Sequence, residues 1–233
     1  MMLSKRLEAV ASCVPDGVRM ADIGCDHAYL PIALLERGQV AYAIGCDLHE
    51  GPLAAAKKNA ARSGIDMSLL ELRLGDGLAA LTPGEVDVVT LAGMGAGLMV
   101  EILSAEPKVV ADLQRIVVLP NVAPWLLRRW GMEQGFAVGE EQVVYDNGHF
   151  YEVFTLTRQT TPFTYSETEL YFGIHLLTRC DDVTCAYFEE RWKSDERLLD
   201  TWAPLVKSHQ ELNVKYEHLL KLWDSWRNER SCE

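Results

Sequence analysis

The chain predicts an α/β protein: a mostly parallel seven-stranded sheet covered by helices, ended by an antiparallel hairpin and followed by a helical hairpin. Three observations predict it. Short apolar runs alternate with helix-length segments up to Gln134, which is the mark of successive βαβ units. Two longer strand-like runs, Ala137 to Tyr145 and Phe150 to Arg158, then meet across Asp146-Asn147-Gly148-His149, a strong hairpin signal. Beyond Thr160-Thr161-Pro162-Phe163 no strand-like run remains and the apolar residues take up 3-4 spacing. The expected boundary therefore divides residues 1–160 from 161–233.

Taken in order, Leu3, Leu7, Val10 and Val14 recur at helical spacing, and Pro15-Asp16-Gly17 stops that helix. Val18 to Ile23 is a strand interrupted by Asp22; Gly24-Cys25-Asp26-His27 turns the chain into the apolar helix from Tyr29 to about Arg37. Val40 to Cys46 makes a second strand, closed by Asp47, and Gly51-Pro52 introduces an alanine-rich helix that Ser63-Gly64 ends. Ser68 to Leu74 forms a third strand, closed by Gly75-Asp76-Gly77. Val86 to Leu91 is continuously apolar except for Asp87 and Thr90, as expected of a central parallel strand. Gly93-Met94-Gly95 leads into a helix from Leu98 to Leu103. Arg115 to Leu119 is a fifth strand stopped by Pro120-Asn121, and Pro124 to Gln134 is the next helix. In the tail, Cys185, Phe188, Trp192, Leu199 and Trp202 follow one apolar stripe, with Asp195 in a polar slot. After Ala203-Pro204, Leu205, Leu212, Tyr216, Leu219, Trp223 and Trp226 follow another, with His209 in the odd slot. Two such helices joined by a short turn make an antiparallel coiled-coil hairpin.

The 233 residues carry a net charge of −12, and neither half is basic: 13 Lys/Arg stand against 20 Asp/Glu up to residue 160, and 9 against 14 after it. Any nucleic-acid role must then rest on a local patch, because phosphate neutralisation supplies much of such affinity. Lys5, Arg6, Arg128, Arg129 and lysines of the tail are the candidates for it. No window is apolar enough to span a membrane and the N-terminus lacks a signal core. Six cysteines without a C-x-x-C pair suit reduced thiols in a cytoplasm, and no zinc site.

Three acids close three successive strands: Asp22, Asp47 and Asp76. Ligands of open α/β sheets bind outside the carboxyl ends of the strands. Asp47, 23 residues after Gly24, stands where a ribose acid is expected, an interval that suits NAD and S-adenosylmethionine alike. Asp76 is placed to accept from an adenine amino group. Each of the three also fits a plain helix cap or turn residue. Gly93 and Met94 permit close approach of a ligand at the fourth strand end, or form a packing turn. Asn121 can donate to and accept from a base edge. His27 and Tyr29 follow the glycine turn as a candidate base or orienter and a candidate stacking ring.

The strings Asp22-Ile-Gly-Cys-Asp-His-Ala-Tyr-Leu-Pro-Ile32, Gly75-Asp-Gly-Leu78, Ala92-Gly-Met-Gly95 and Leu119-Pro-Asn121 together resemble the bacterial tRNA (adenine-22-N1)-methyltransferases. The resemblance covers essentially the whole chain, with Cys25 where a serine is expected and Ala96 where a glycine is more usual. It implies a class I, Rossmann-like methyltransferase fold, S-adenosylmethionine as cofactor, and tRNA as partner with one adenine flipped out of its D-arm region. It assigns Asp26, His27, Tyr29 and Asn121 to the adenine, and Asp22, Gly24, Asp47, Leu48, Asp76, Gly77, Gly93 and Met94 to the cofactor. The acidic surface keeps two rivals open: methyl transfer to a small molecule or protein, and a non-catalytic binding module. An NAD-dependent oxidoreductase fits less well, since the third glycine of its fingerprint is absent.

Overall fold

The computed structural model describes residues 2–206 and 208–229. Seven strands form one sheet in the order β3-β2-β1-β4-β5-β7-β6. These are β1 (Val18–Ile23), β2 (Val40–Asp47), β3 (Leu70–Leu74), β4 (Val88–Ala92), β5 (Arg115–Leu119), β6 (Phe136–Asp146) and β7 (His149–Arg158). The first five are parallel, and the β6–β7 hairpin runs antiparallel at the end, turning through Asn147-Gly148 as expected.

Successive side chains of a strand point to opposite faces, and here both faces are covered. Met20, Ala43, Val88 and Val117 point to α1 (Lys5–Ser12), α2 (Tyr29–Glu36) and α3 (Glu50–Ser63). Their neighbours Ala21, Ile44, Val89, Ile116 and Val118 point the other way, to α4 (Ala96–Ala105), α5 (Pro107–Asp112) and α6 (Trp125–Gln134). Wholly buried Val117 and Val118 show why this run lacks alternation in the sequence. Each such side chain contributes about 1.5–3 kcal/mol by leaving water.

Several edges differ from expectation for local reasons. β3 starts at Leu70 because Asp66 accepts the Ser68 N–H in a side-chain turn (2.8 Å). β4 starts at Val88 because the Asp87 carboxylate is held by the Arg19 guanidinium (2.8 and 3.1 Å). The short helices α5 and α7 (Glu167–Phe172) were not expected. The latter carries a capping box between Ser166 and Glu169.

The tail contains α8 (Asp182–Trp202) and α9 (Gln210–Glu229). Trp192 meets Trp223 and Phe188 meets Trp226, with ring centroids 5.0 and 5.3 Å apart, so the helices run antiparallel. Asp195 lies between them as a polar member of the seam, accepting from Trp223 Nε1 (2.9 Å) and from the Tyr171 hydroxyl (3.1 Å). The second helix begins later than expected. Leu205 is exposed, and His209 precedes α9 on the surface instead of filling a slot of the seam.

Cys13, Cys25 and Cys46 are free thiols, whereas Cys180 is disulfide-bonded, which departs from the expectation of reduced thiols throughout. Cys232 lies outside the described residues. Among those residues no helix is long and apolar enough to cross a membrane, and no acid, histidine and cysteine group could hold a metal ion.

Candidate active site

The strand order reverses between β1 and β4, and the crevice of an open α/β sheet opens at such a point. A cleft of about 130 Å³ lies there, lined by Asp22, Gly24, Asp26, His27, Tyr29 and Gly93 of the expected residues. That is below the roughly 300–1,000 Å³ of an enclosed ligand pocket, so a larger ligand must also extend along the sheet edge.

The turn after β1 is built from backbone that side chains rarely adopt. Gly24 (φ +73°) is followed by Asp26 (φ +49°) and Ala28 (φ +55°), both left-handed without being glycine. Such strain persists only where surrounding contacts hold it, and it gathers at ligand sites. Here Gly24 and Cys25 N–H both donate to the Cys46 carbonyl (2.9 Å each), and Ala28 N–H donates to the Cys25 carbonyl (2.7 Å). A Cβ on Gly24 would sit 3.0 Å from Met94 Cε, so Met94 closes over the turn.

Asp47 ends β2 with its carboxylate oriented by two backbone donors, Asp26 N–H (3.1 Å) and His49 N–H (2.9 Å). A carboxylate has about four lone-pair sites. Two therefore remain for a ligand with paired hydroxyls. Asp22 is buried and accepts from the Thr90 hydroxyl at 2.6 Å. Burial pushes its pKa up to about 6, the Thr90 bond opposes this, and the Asp47 charge adds to it. Cys25 is buried beside these acids, which together with burial push its thiol well above the usual range, so it is an inert wall and no nucleophile.

His27 and Tyr29 stand at the rim as a tilted ring pair, 5.5 Å apart, and His27 Nε2 lies 3.6 Å from Asp26 Oδ1. Tyr29 is 43% exposed, enough to offer a face to a flat ligand. Asn121 reaches the site indirectly. Its amide donates to the Gly93 carbonyl (2.6 Å) and its N–H to the Met94 carbonyl (2.9 Å), tying the ends of β4 and β5 together.

Leu48, Asp76 and Gly77 are not brought into the cleft. They stand farther along the same carboxyl edge, beyond β2 and β3, where Gly75 N–H donates to the Asp47 carbonyl (3.0 Å). Leu48 and Asp76 are exposed, and Gly77 starts a short 3-10 helix against Ile102. Among the lining residues outside the expected site set are Arg6, expected instead in a nucleic-acid patch, and Leu7, both of α1. Helical spacing does not place them in the cleft, since they reach it only when α1 packs across the sheet.

Arg128 must leave the list of surface cations. It is fully buried, paired with Glu141 and Glu152, and donates also to the Leu170 carbonyl (3.2 Å). Burial alone would lower its pKa, but the two carboxylates raise it. Arg129 is 43% exposed at its side chain and bound to Glu167 (2.6 Å).

A family model described as a methyltransferase domain matches residues 3–154. The tRNA (adenine(22)-N(1))-methyltransferase of Bacillus subtilis is 38% identical over 151 residues, spanning 65% of this chain and 63% of that protein. Among solved structures, the chain is similar to a candidate tRNA (m1A22) methyltransferase of Streptococcus pneumoniae in complex with S-adenosyl-L-methionine. That likeness has 33% identity and a TM-score of 0.81, over 95% of this chain and 99% of the other. Mycoplasma capricolum TrmK, solved with the cofactor product S-adenosyl-homocysteine, is 25% identical with a TM-score of 0.81, over 96% of this chain and 99% of its own.

Proposed function

The chain belongs to the methyltransferase family, in its tRNA (adenine-22-N1) branch, and we propose that it transfers the methyl group of S-adenosylmethionine to N1 of adenine 22 in tRNA. One observation carries the reading: the likeness runs through the helical tail as well as the sheet, over 95% of this chain, and so reaches beyond the widely shared catalytic fold.

The residues present fit the cofactor. The Gly24 turn forms a cradle that a Cβ would fill, and Asp47 keeps lone pairs for two ribose hydroxyls. Asp76 and Leu48 stand farther along the edge for the adenine ring, while Asp22, Gly93 and Met94 border the reacting end. Bound there, S-adenosylmethionine supplies an electrophilic methyl carried on a sulfonium. Adenine N1 has a free lone pair at neutral pH, so the protein's task is alignment more than proton removal. Tyr29 offers a stacking face, while Asp26, His27 and Asn121 orient the base edge. N1 lies on the Watson–Crick edge, so the adenine enters unpaired or flipped out. The tRNA surface draws on Lys5, Arg129 and the tail lysines, and the protein works in the cytoplasm.

The decisive assay incubates purified protein with methyl-labelled S-adenosylmethionine and an unmodified tRNA transcript, followed by nucleoside mass spectrometry. One methyl group should appear as 1-methyladenosine, and replacing adenine 22 with guanosine should abolish it. Label appearing in protein or small molecules instead would move the activity to another substrate class.

A further inference from the structure

We propose that the exposed side of α3 holds the phosphate backbone of the tRNA beside the cleft, with Lys57, Lys58 and Arg62 as its contacts. This rests on the proposed methyl transfer and gives its nucleic-acid partner a further contact surface, apart from Lys5, Arg129 and the tail.

From Gly51 to Ile65 the sequence holds three cations and no acid, although the whole chain carries a net charge of −12. Leu53, Ala56 and Ala60 bury the other side of α3, which leaves Lys57, Lys58 and Arg62 in solvent. None of the three holds a carboxylate among the described residues, whereas Arg19, Arg37, Arg73, Arg115 and Arg129 each hold one. Lys58 and Arg62 stand one turn apart, where like charges repel and an acid would have supported the helix. The helix dipole accounts for Arg62 in the last turn, but not for Lys57 and Lys58 in the middle of α3. The cluster therefore costs the fold something, and no internal contact offsets it.

Asn59 fixes where this surface lies. Its side-chain amide donates to the His27 carbonyl at 3.0 Å, which ties α3 to the rim carrying His27 and Tyr29. Gly51, Ala54 and Ala61 are also exposed on the helix and add no bulk to it. A strand can therefore lie close along α3, and the interval from Lys57 to Arg62 spans about 7.5 Å of its axis. A linear polyanion suits such a surface, because each phosphate neutralised releases counterions. A broad anionic surface such as a membrane would meet the surrounding acids as well, and the net charge of −12 would oppose it.

The test uses the full chain carrying Lys57→Gln, Lys58→Gln and Arg62→Gln together, and measures its binding to an unmodified tRNA transcript over a range of salt. Affinity at low salt should fall about 10- to 100-fold, and the slope of log affinity against log salt should flatten by about 2 to 3, roughly one per lost phosphate contact. S-adenosylhomocysteine, followed by calorimetry, should bind as it does to wild type. A charge-preserving variant, Lys57→Arg, Lys58→Arg and Arg62→Lys, should keep most of the tRNA affinity. Unchanged tRNA affinity in the glutamine variant, or a loss with the salt slope untouched, would overturn the assignment. So would a matching loss for S-adenosylhomocysteine, since the helix would then be acting through the fold of the cleft. Wild-type protein that bound S-adenosylhomocysteine and no tRNA would instead sink the tRNA reading itself, and this surface with it.

Discussion

At the scale of single residues, Asp22 makes the sharpest claim. Its pKa of about 6 in the fold, against 3.8 for an unburied carboxyl, means that the folded state keeps a proton the unfolded chain has already released. Stability therefore falls as pH rises between those values, because the native state binds more protons than the unfolded one. The loss is on the order of 3 kcal/mol at most. Asp22→Asn still accepts from Thr90 and carries no charge at any pH. In urea titrations without cofactor, the variant should gain on wild type between about pH 4 and pH 6 and hold its lead above that. Parallel curves would mean that Asp22 ionises freely. Asp22 and Asp47 could be read from the sequence as strand-end acids, because strand ends are marked by glycine and apolar runs. Their protonation and orientation could not, since these depend on Thr90 and Asp26, which the fold brings to them from 68 and 21 residues away.

Among the elements, the junction of β6, β7, α6 and α8 departs most from a one-dimensional reading. The register of β6 slips between Val138 and Glu141, which turns Glu141 onto the buried face already used by Phe136 and Val138. Arg128 of α6 donates to it at 2.8 Å and also pairs with Glu152 of β7. Glu152 in turn accepts from the Tyr187 hydroxyl and from Arg191 (3.4 Å) of α8. Without the bulge, alternation would send Glu141 to solvent, and the paired acids lie 13 and 24 residues from Arg128. No local pattern could therefore separate buried Arg128 from half-exposed Arg129 beside it. The Ser166 capping box of α7 is local, a serine three residues before a glutamate, yet that helix was not among the expected elements. Removing one partner of a buried pair strands the others, so Arg128→Ala should cost about 3–5 kcal/mol in chemical unfolding. Arg129→Ala, which breaks a solvated pair, should stay within about 1 kcal/mol. Equal and small effects would show the network to be open to water.

For the whole molecule, the boundary expected at residue 160 rests on a change in composition alone, and the same network argues against a mechanical division there. The Arg128–Glu141 pair lies before it. The Leu170 carbonyl and the His175 N–H (2.8 Å) that satisfy that pair come after it. Arg191, buried under Tyr171 and Phe172 with its carbon 4.2 and 5.1 Å from their rings, bonds back to Glu152 of the sheet. The tail core likewise draws in Val143 of β6. Separating the halves would expose paired charges and aromatic rings on both sides at once, so neither half has a low-cost unfolded neighbour. We predict a single calorimetric transition whose van't Hoff and calorimetric enthalpies agree. We also predict that a chain ended at residue 160 melts well below the full one. Two resolved transitions, or a truncated chain as stable as the whole, would mean that the tail is an independent domain resting on the sheet. On the proposed function, a tRNA would then have to bridge two bodies whose relative position it sets itself, and the candidate cleft would not inherit its alignment from the fold.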